Sequence, residues 1–165
     1  MLPENVSGIY PLSFTFENIE IPVENISIPI LTKSRQPLII AGQMKGNSHQ
    51  NDIIQLAEKL NMPILADPLS QLRYGSNSKI VLSNYDYFLR YKKINPDLII
   101  RFGRKPTSKV LNQLLHKWKN KTILIDAWKQ FNDDCPQFIQ SAIGNYCQYQ
   151  INNCDWEGEH DWQKQ

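Results

Sequence analysis

Four cations fall within nine residues in the segment Arg101-Phe102-Gly103-Arg104-Lys105-Pro106-Thr107-Ser108-Lys109. Recognition of an anion, a carboxylate or a phosphate, is the chemistry that such a cluster can perform; simple solvation of surface cations is the alternative. The run from Asp97 to Phe102 ahead of it has the length and apolarity of a strand. Behind it, Val110, Leu111, Leu114, Leu115 and Trp118 form one helical stripe, and Thr107-Ser108 is suited to cap that helix. The unit reads strand, basic loop, helix. In a parallel α/β sheet such a loop opens at the carboxyl ends of the strands, where ligands bind, and the helix's positive end adds to the attraction. Arg101 differs from the other three because it sits inside the apolar run. An unpaired buried cation is costly, so Arg101 requires a carboxylate partner or a solvent-filled crevice.

Asp67 is the second candidate, in Ala66-Asp67-Pro68-Leu69-Ser70-Gln71-Leu72-Arg73. It ends an apolar run of strand length, which directs its carboxylate toward the same crevice. There it could hold Arg101, Arg73 or Arg104, or it could serve only as a turn carboxylate bonding its own backbone. Other constellations are weaker. Gly42-Gln43-Met44-Lys45-Gly46 follows a strand but misses the G-x-G-x-x-G spacing of a dinucleotide loop. His49, His116 and His160 have neither metal-ligand spacing nor a neighbouring nucleophile, and nothing resembles a Ser/His/Asp or Cys/His apparatus. Cys135, Cys147 and Cys154 lack any C-x-x-C pattern and read as reduced structural or incidental thiols of a cytoplasmic protein.

The elements that must position these residues alternate. Strands are expected at Pro37–Gly42, Pro63–Pro68, Asp97–Phe102 and Lys121–Asp126, with a fifth at Gln137–Ser141. Between them, helices are expected after a cap at Asn47 or Ser48, over Asn84–Lys92 with Tyr85, Phe88, Leu89 and Tyr91 near its apolar side, and over Ser108–Lys119. The prediction is therefore an α/β, Rossmann-like parallel sheet of five or six strands with helices on both faces. Prolines 3, 11, 22 and 29 argue against long helices in residues 1–36, which read as an extended N-terminal arm or linker. Residues 37–150 form the expected α/β domain. Residues 151–165 read as a frayed helix or a linker toward a missing C-terminal domain, so both ends look like boundaries inside a longer polypeptide. A chain of 165 residues can bury one ordinary core, and a net charge of +2 gives no bulk argument for nucleic acid. No apolar stretch approaches the roughly 18 residues of a membrane span.

Ala66-Asp67-Pro68-Leu69-Ser70-x-Leu72-Arg73, Tyr85-Asp86-x-Phe88-Leu89-Arg90 and Arg101-Phe102-Gly103-x-x-Pro106-Thr107-Ser108-Lys109 follow in this order. Together they resemble the central domain of the 2-succinyl-5-enolpyruvyl-6-hydroxy-3-cyclohexene-1-carboxylate synthases, over about residues 35–145. The resemblance implies a three-domain thiamine diphosphate enzyme of menaquinone and phylloquinone biosynthesis. Such an enzyme decarboxylates 2-oxoglutarate and adds the succinyl-semialdehyde unit to isochorismate. It further implies N- and C-terminal domains on the same polypeptide as partners, a homodimer or homotetramer, and thiamine diphosphate with Mg2+ held by those other domains. The chain has no Gly-Asp pair from which the family's magnesium motif could be built, so this piece alone is expected to bind no cofactor and to be inactive.

By the same resemblance Lys109 matches a basic residue of the substrate pocket, while the next position, arginine in some members, is Val110 here. Thr107, Ser108 and Arg104 belong to the implied substrate-binding set. Asp67, Arg73 and Arg101 belong to a structural or regulatory basic crevice, because in some members a late pathway product binds among arginines of this domain. A different class of function remains beside it: a stand-alone α/β module that binds an anionic metabolite without catalysis.

Overall fold

Pro37-Leu38-Ile39-Ile40-Ala41 is apolar at every position, a pattern that only a strand covered on both faces can satisfy. In the computed structural model, which describes residues 33–44, 49–128, 133–154 and 162, this segment is strand β1 (Pro37–Ala41), buried along its whole length. The chain continues through α1 (Gln50–Lys59), β2 (Ile64–Ala66), β3 (Val81–Leu82), α2 (Tyr85–Tyr91), β4 (Leu98–Phe102), α3 (Lys109–Lys117), β5 (Thr122–Asp126), β6 (Gln137–Gln140) and α4 (Ile143–Asn153). All six strands are parallel, in the order β3-β2-β1-β4-β5-β6. The expected parallel sheet with helices on both faces is what the chain forms.

The alternation of side chains along each strand divides the core. Ile39, Ala41, Ile100 and Phe102 face α1 and α4, where they meet Ile53, Leu56, Tyr146 and Cys147. Leu38, Ile40 and Ile99 face α2 and α3, against Tyr85, Leu89, Leu111, Leu115 and Trp118. The stripe expected on α3 is therefore its buried face, with Val110 and Leu114 at its margins. On α2, Tyr85 and Leu89 are buried, but Tyr91 is 74% exposed and its ring packs at a tilt of 53° against that of Tyr87 one turn back. Its expected place near the apolar side is thus corrected, because the burying face follows Tyr85 and Leu89 at four-residue spacing. All three cysteines are buried.

Two elements were not anticipated. β3 is two residues long and exists as the edge partner of β2. α4 covers a stretch in which only Ile143, Tyr146, Cys147 and Gln150 are buried, and it packs on α1. It runs to Asn153, past residue 150, and Trp162 donates its indole N–H to the Pro37 carbonyl at 2.8 Å. The predicted arm over residues 1–36 lies outside the described residues up to Thr32, as do both candidate caps of α1, Asn47 and Ser48.

The order of strands reverses direction between β1 and β4, so the chain leaves these two neighbours toward opposite faces of the sheet. Their ends cross closely. A Cβ on Gly42 would lie 1.7 Å from the Arg104 carbonyl oxygen, and Gly103 has φ +71° with the Gln43 carbonyl 2.5 Å from where its Cβ would stand. The glycine after β1 thus serves backbone crossing, which accounts for a glycine there without any dinucleotide. Gly42 N–H donates to Phe102 O and Arg104 N–H to Gln43 O, locking the crossing.

Candidate functional site at the carboxyl ends of the strands

The basic loop leaves β4 at the point where open α/β sheets bind ligands. Its cations do not share one crevice. Arg101 alternates with Ile100 and Phe102 and so projects to the α3 side of the sheet, where it is 3% exposed and ion-paired with buried Asp133. Asp67 is not its partner. Of the two roles left open for Asp67, holding a guanidinium is not found, because the pleat turns Arg101 beneath α3 and away from the end of β2 and Arg73 donates to the Ala66 carbonyl; the turn carboxylate is found, in its bond from Leu69 N–H. Asp133 belongs to the one adjacent acidic pair in the sequence, Asp133-Asp134, and a buried arginine in need of a carboxylate was the signal that could have found it. Asp134 meets exposed Lys105 at 2.7 Å.

Asp67, 1% exposed, takes its hydrogen bonds elsewhere. Oδ2 accepts from Thr107 N–H at 2.6 Å and from the Thr107 hydroxyl at 2.9 Å, and Oδ1 accepts from Leu69 N–H at 3.0 Å. The buried Tyr85 hydroxyl stands 3.4 Å from Oδ2. Burial first, and the Asp67 charge second, push the Tyr85 hydroxyl up to about 12, so it remains a donor. Arg73 donates Nε–H to the Ala66 carbonyl at 2.8 Å and lies over the Tyr85 ring.

Ser108 caps α3 by accepting from Leu111 N–H at 3.1 Å and donates its own hydroxyl proton to Asp86. Both hydroxyl protons of the Thr-Ser pair are thus committed inside the chain. Lys109, first residue of α3, is exposed, as is Arg104, and among the described residues neither side chain has an ion-pair or hydrogen-bond partner.

Two clefts result. One, of about 530 Å³, lies between the N-termini of α2 and α3 and is lined by Arg73, Tyr85, Asp86, Arg90, Thr107 and Ser108 among others. The other, of about 350 Å³, lies over the β1–β4 crossing on the α1/α4 side and is lined by Gln43, His49, Arg104, Asp126 and Trp128 among others. Thr107 and Ser108 are thus brought together with Arg73 and Asp67; Arg104 stands across the crossing, Arg101 lines a third cleft, between α3 and β5, and Lys109 lines none of the three. Among the described residues no group of three His, Cys, Asp or Glu could hold a metal ion, and no helix is long and apolar enough to cross a membrane.

Asp86 joins α2 to the α3 cap. The Ser108 hydroxyl foremost, then Arg90 at 2.9 Å, hold its carboxyl below the ordinary value of 3.8. A depressed carboxylate contributes stability above its unfolded value and loses it as pH falls through the folded one. Asp86→Asn should therefore destabilise the chain slightly at neutral pH, by well under about 1 kcal/mol for so exposed a pair. The difference from the parent chain should vanish as pH drops below 3.8. Urea unfolding at neutral and acid pH measures this; a difference that persists or grows in acid contradicts it.

The chain was compared with known proteins. A family model described as the middle domain of thiamine pyrophosphate matches residues 22–163. Curated relatives carry the name 2-succinyl-5-enolpyruvyl-6-hydroxy-3-cyclohexene-1-carboxylate synthase. That of Bacillus pumilus is 30% identical over 137 residues, 78% of this chain and 24% of the relative. That of Geobacillus kaustophilus is 35% identical over 131 residues, 73% and 23%. That of Listeria innocua is 38% identical over 104 residues, 58% and 18%. The chain spans about a quarter of the length of the first two of these relatives.

Proposed function

We propose, from the premise that this chain belongs to the family of thiamine pyrophosphate middle domains, that it is the central domain of a 2-succinyl-5-enolpyruvyl-6-hydroxy-3-cyclohexene-1-carboxylate synthase. The reaction would be decarboxylation of 2-oxoglutarate and addition of the resulting succinyl-semialdehyde unit to isochorismate, in the cytoplasm, on the way to menaquinone or phylloquinone. The observation that carries this reading is the exposed Lys109 at the first position of α3, without a partner among the described residues. Both substrates are dicarboxylates, and a lysine at a helix start, set where open sheets bind ligands, suits a carboxylate.

Within this reading Lys109 meets a substrate carboxylate, and Arg104 contributes positive potential from across the β1–β4 crossing. Thr107 and Ser108 hold the loop, since a hydroxyl whose proton is already donated offers a carboxylate only lone pairs. Arg101 is structural. Among the described residues no trio of metal-ligating side chains gathers, and the sequence has no Gly-Asp pair from which the magnesium motif implied by the resemblance could be built. The cofactor falls to the N- and C-terminal domains of the same polypeptide, in a homodimer or homotetramer, and this chain supplies architecture and substrate contacts.

The test is an assay of the intact protein that contains this chain. Release of CO2 from 2-oxoglutarate that requires isochorismate, thiamine diphosphate and Mg2+ is the expected result. An intact protein that binds dicarboxylates but turns over neither substrate would instead establish the anion-binding module, the reading favoured if the free cations at α3 serve binding alone.

A further inference from the structure

We propose that Asp67 is a positioning residue: its carboxylate clamps the loop ahead of α3 and thereby sets where Lys109 presents its charge. This deepens the reading above and rests on the assignment of Lys109 to a substrate carboxylate.

The clamp spans two parts of the molecule that are distant in sequence. Its base is rigid, because Asp67 N–H donates to the Ala41 carbonyl at 2.9 Å, tying the end of β2 to the end of β1. Its grip is the pair of hydrogen bonds from the main-chain N–H and the hydroxyl of Thr107, at 2.6 and 2.9 Å, forty residues away. Ser108 then caps α3, and Lys109 is the next residue. Few degrees of freedom remain between the carboxylate and the lysine's Cα. No cation pairs with Asp67 among the described residues; every bond it accepts there comes from a neutral donor, the pattern of a carboxylate used to hold backbone.

Charge and position predict opposite signs. Asp67 is negative, so if it acted on a dicarboxylate by its field alone, neutralising it would tighten substrate binding. If it acts as a clamp, Asp67→Asn loosens the loop and weakens binding. Asparagine cannot replace both halves of the grip, because it has one acceptor oxygen, and its NH2 must oppose either Leu69 N–H or the Thr107 donors.

The experiment is a double-mutant cycle in the intact synthase, with steady-state kinetics for both substrates. Asp67→Asn should raise the KM of the substrate that Lys109 meets by about tenfold, the loss expected for one charge-assisted contact, with a smaller change in kcat. In a Lys109→Ala background the same substitution should add less than about twofold, because the charge it positions is gone. Thr107→Ser, which keeps both donors, should behave as the parent; Thr107→Val, which keeps only the N–H, should move KM in the same direction. If Asp67→Asn fails to fold, the cycle of Thr107→Val with Lys109→Ala carries the test. Tighter substrate binding in Asp67→Asn, or equal effects in both backgrounds, overturns the clamp while leaving Lys109 in place. An unchanged KM for both substrates in Lys109→Ala overturns the Lys109 assignment and the clamp with it.

Discussion

Arg101→Ala should cost the fold about 3–5 kcal/mol, the usual result of removing one partner from a buried ion pair. Arg101 and Asp133 have side chains only 3% and 2% exposed, so truncation strands a carboxylate that water cannot reach. For a chain of this size the thermal midpoint should fall by roughly 10–15 °C. Arg101→Met combined with Asp133→Leu should recover much of the loss, because the pair's own net worth is small once both charges are gone. Lys105→Ala is the control: Lys105 and Asp134 also form an ion pair, but their side chains are 43% and 63% exposed, and the change should stay within about 0.5 kcal/mol. Thermal and urea unfolding of the three variants decides. Equal, small losses for Arg101→Ala and Lys105→Ala would show that burial does not govern the pair.

If the proposed function holds, Lys109→Ala should leave stability nearly unchanged and weaken use of the proposed dicarboxylate substrates by about ten- to a hundredfold, a charge-assisted contact being worth about 1.5–3 kcal/mol. The side chain is exposed and adds little packing, and a cation in the first turn of a helix is slightly unfavourable to that helix. A merely solvated lysine predicts the reverse pattern, unchanged kinetics and a shift of a few tenths of a kcal/mol in stability. Steady-state kinetics of the intact protein that contains this chain, set beside its melting curve, separate the two. Wild-type Michaelis constants for both substrates would end the assignment. Together with Arg101→Ala, the expected results for this variant would divide the basic segment into a cation used for folding and a cation kept for ligand, eight residues apart.

That division was only half legible. Arg101 stood out because it interrupts an apolar run, and the need for a carboxylate followed from the cost of burial. Which carboxylate did not follow. The sequence reading named Asp67 and not Asp133, and the choice rests on which face of the pleat position 101 occupies, a matter of register with β1 and β5. The same pleat separates Arg101 from Arg104, so that the single basic crevice expected at the strand ends is two clefts, with Arg101 in a third between α3 and β5.

What the sequence by itself determined is what short-range periodicity encodes. Runs such as Leu38-Ile39-Ile40 and Ile123-Leu124-Ile125, with stripes at three- and four-residue spacing between most of them, are enough to require parallel strands and crossover helices. The Asp67 and Thr107-Ser108 motifs were visible for the same reason, as residues of definite chemistry at the ends of definite elements. The tertiary structure alone decided the elements whose own preference is weak. β3 has two residues and is held by its pairing with β2, and α4 begins Ile-Gly-Asn and is held by the face it buries on α1. It also decided who bonds to whom across the strand ends. Thr107 reaches Asp67 over forty residues of chain, and Ser108 reaches Asp86 over twenty-two. Such contacts depend on how β1, β2 and β4 lie side by side, and no local pattern carries that information.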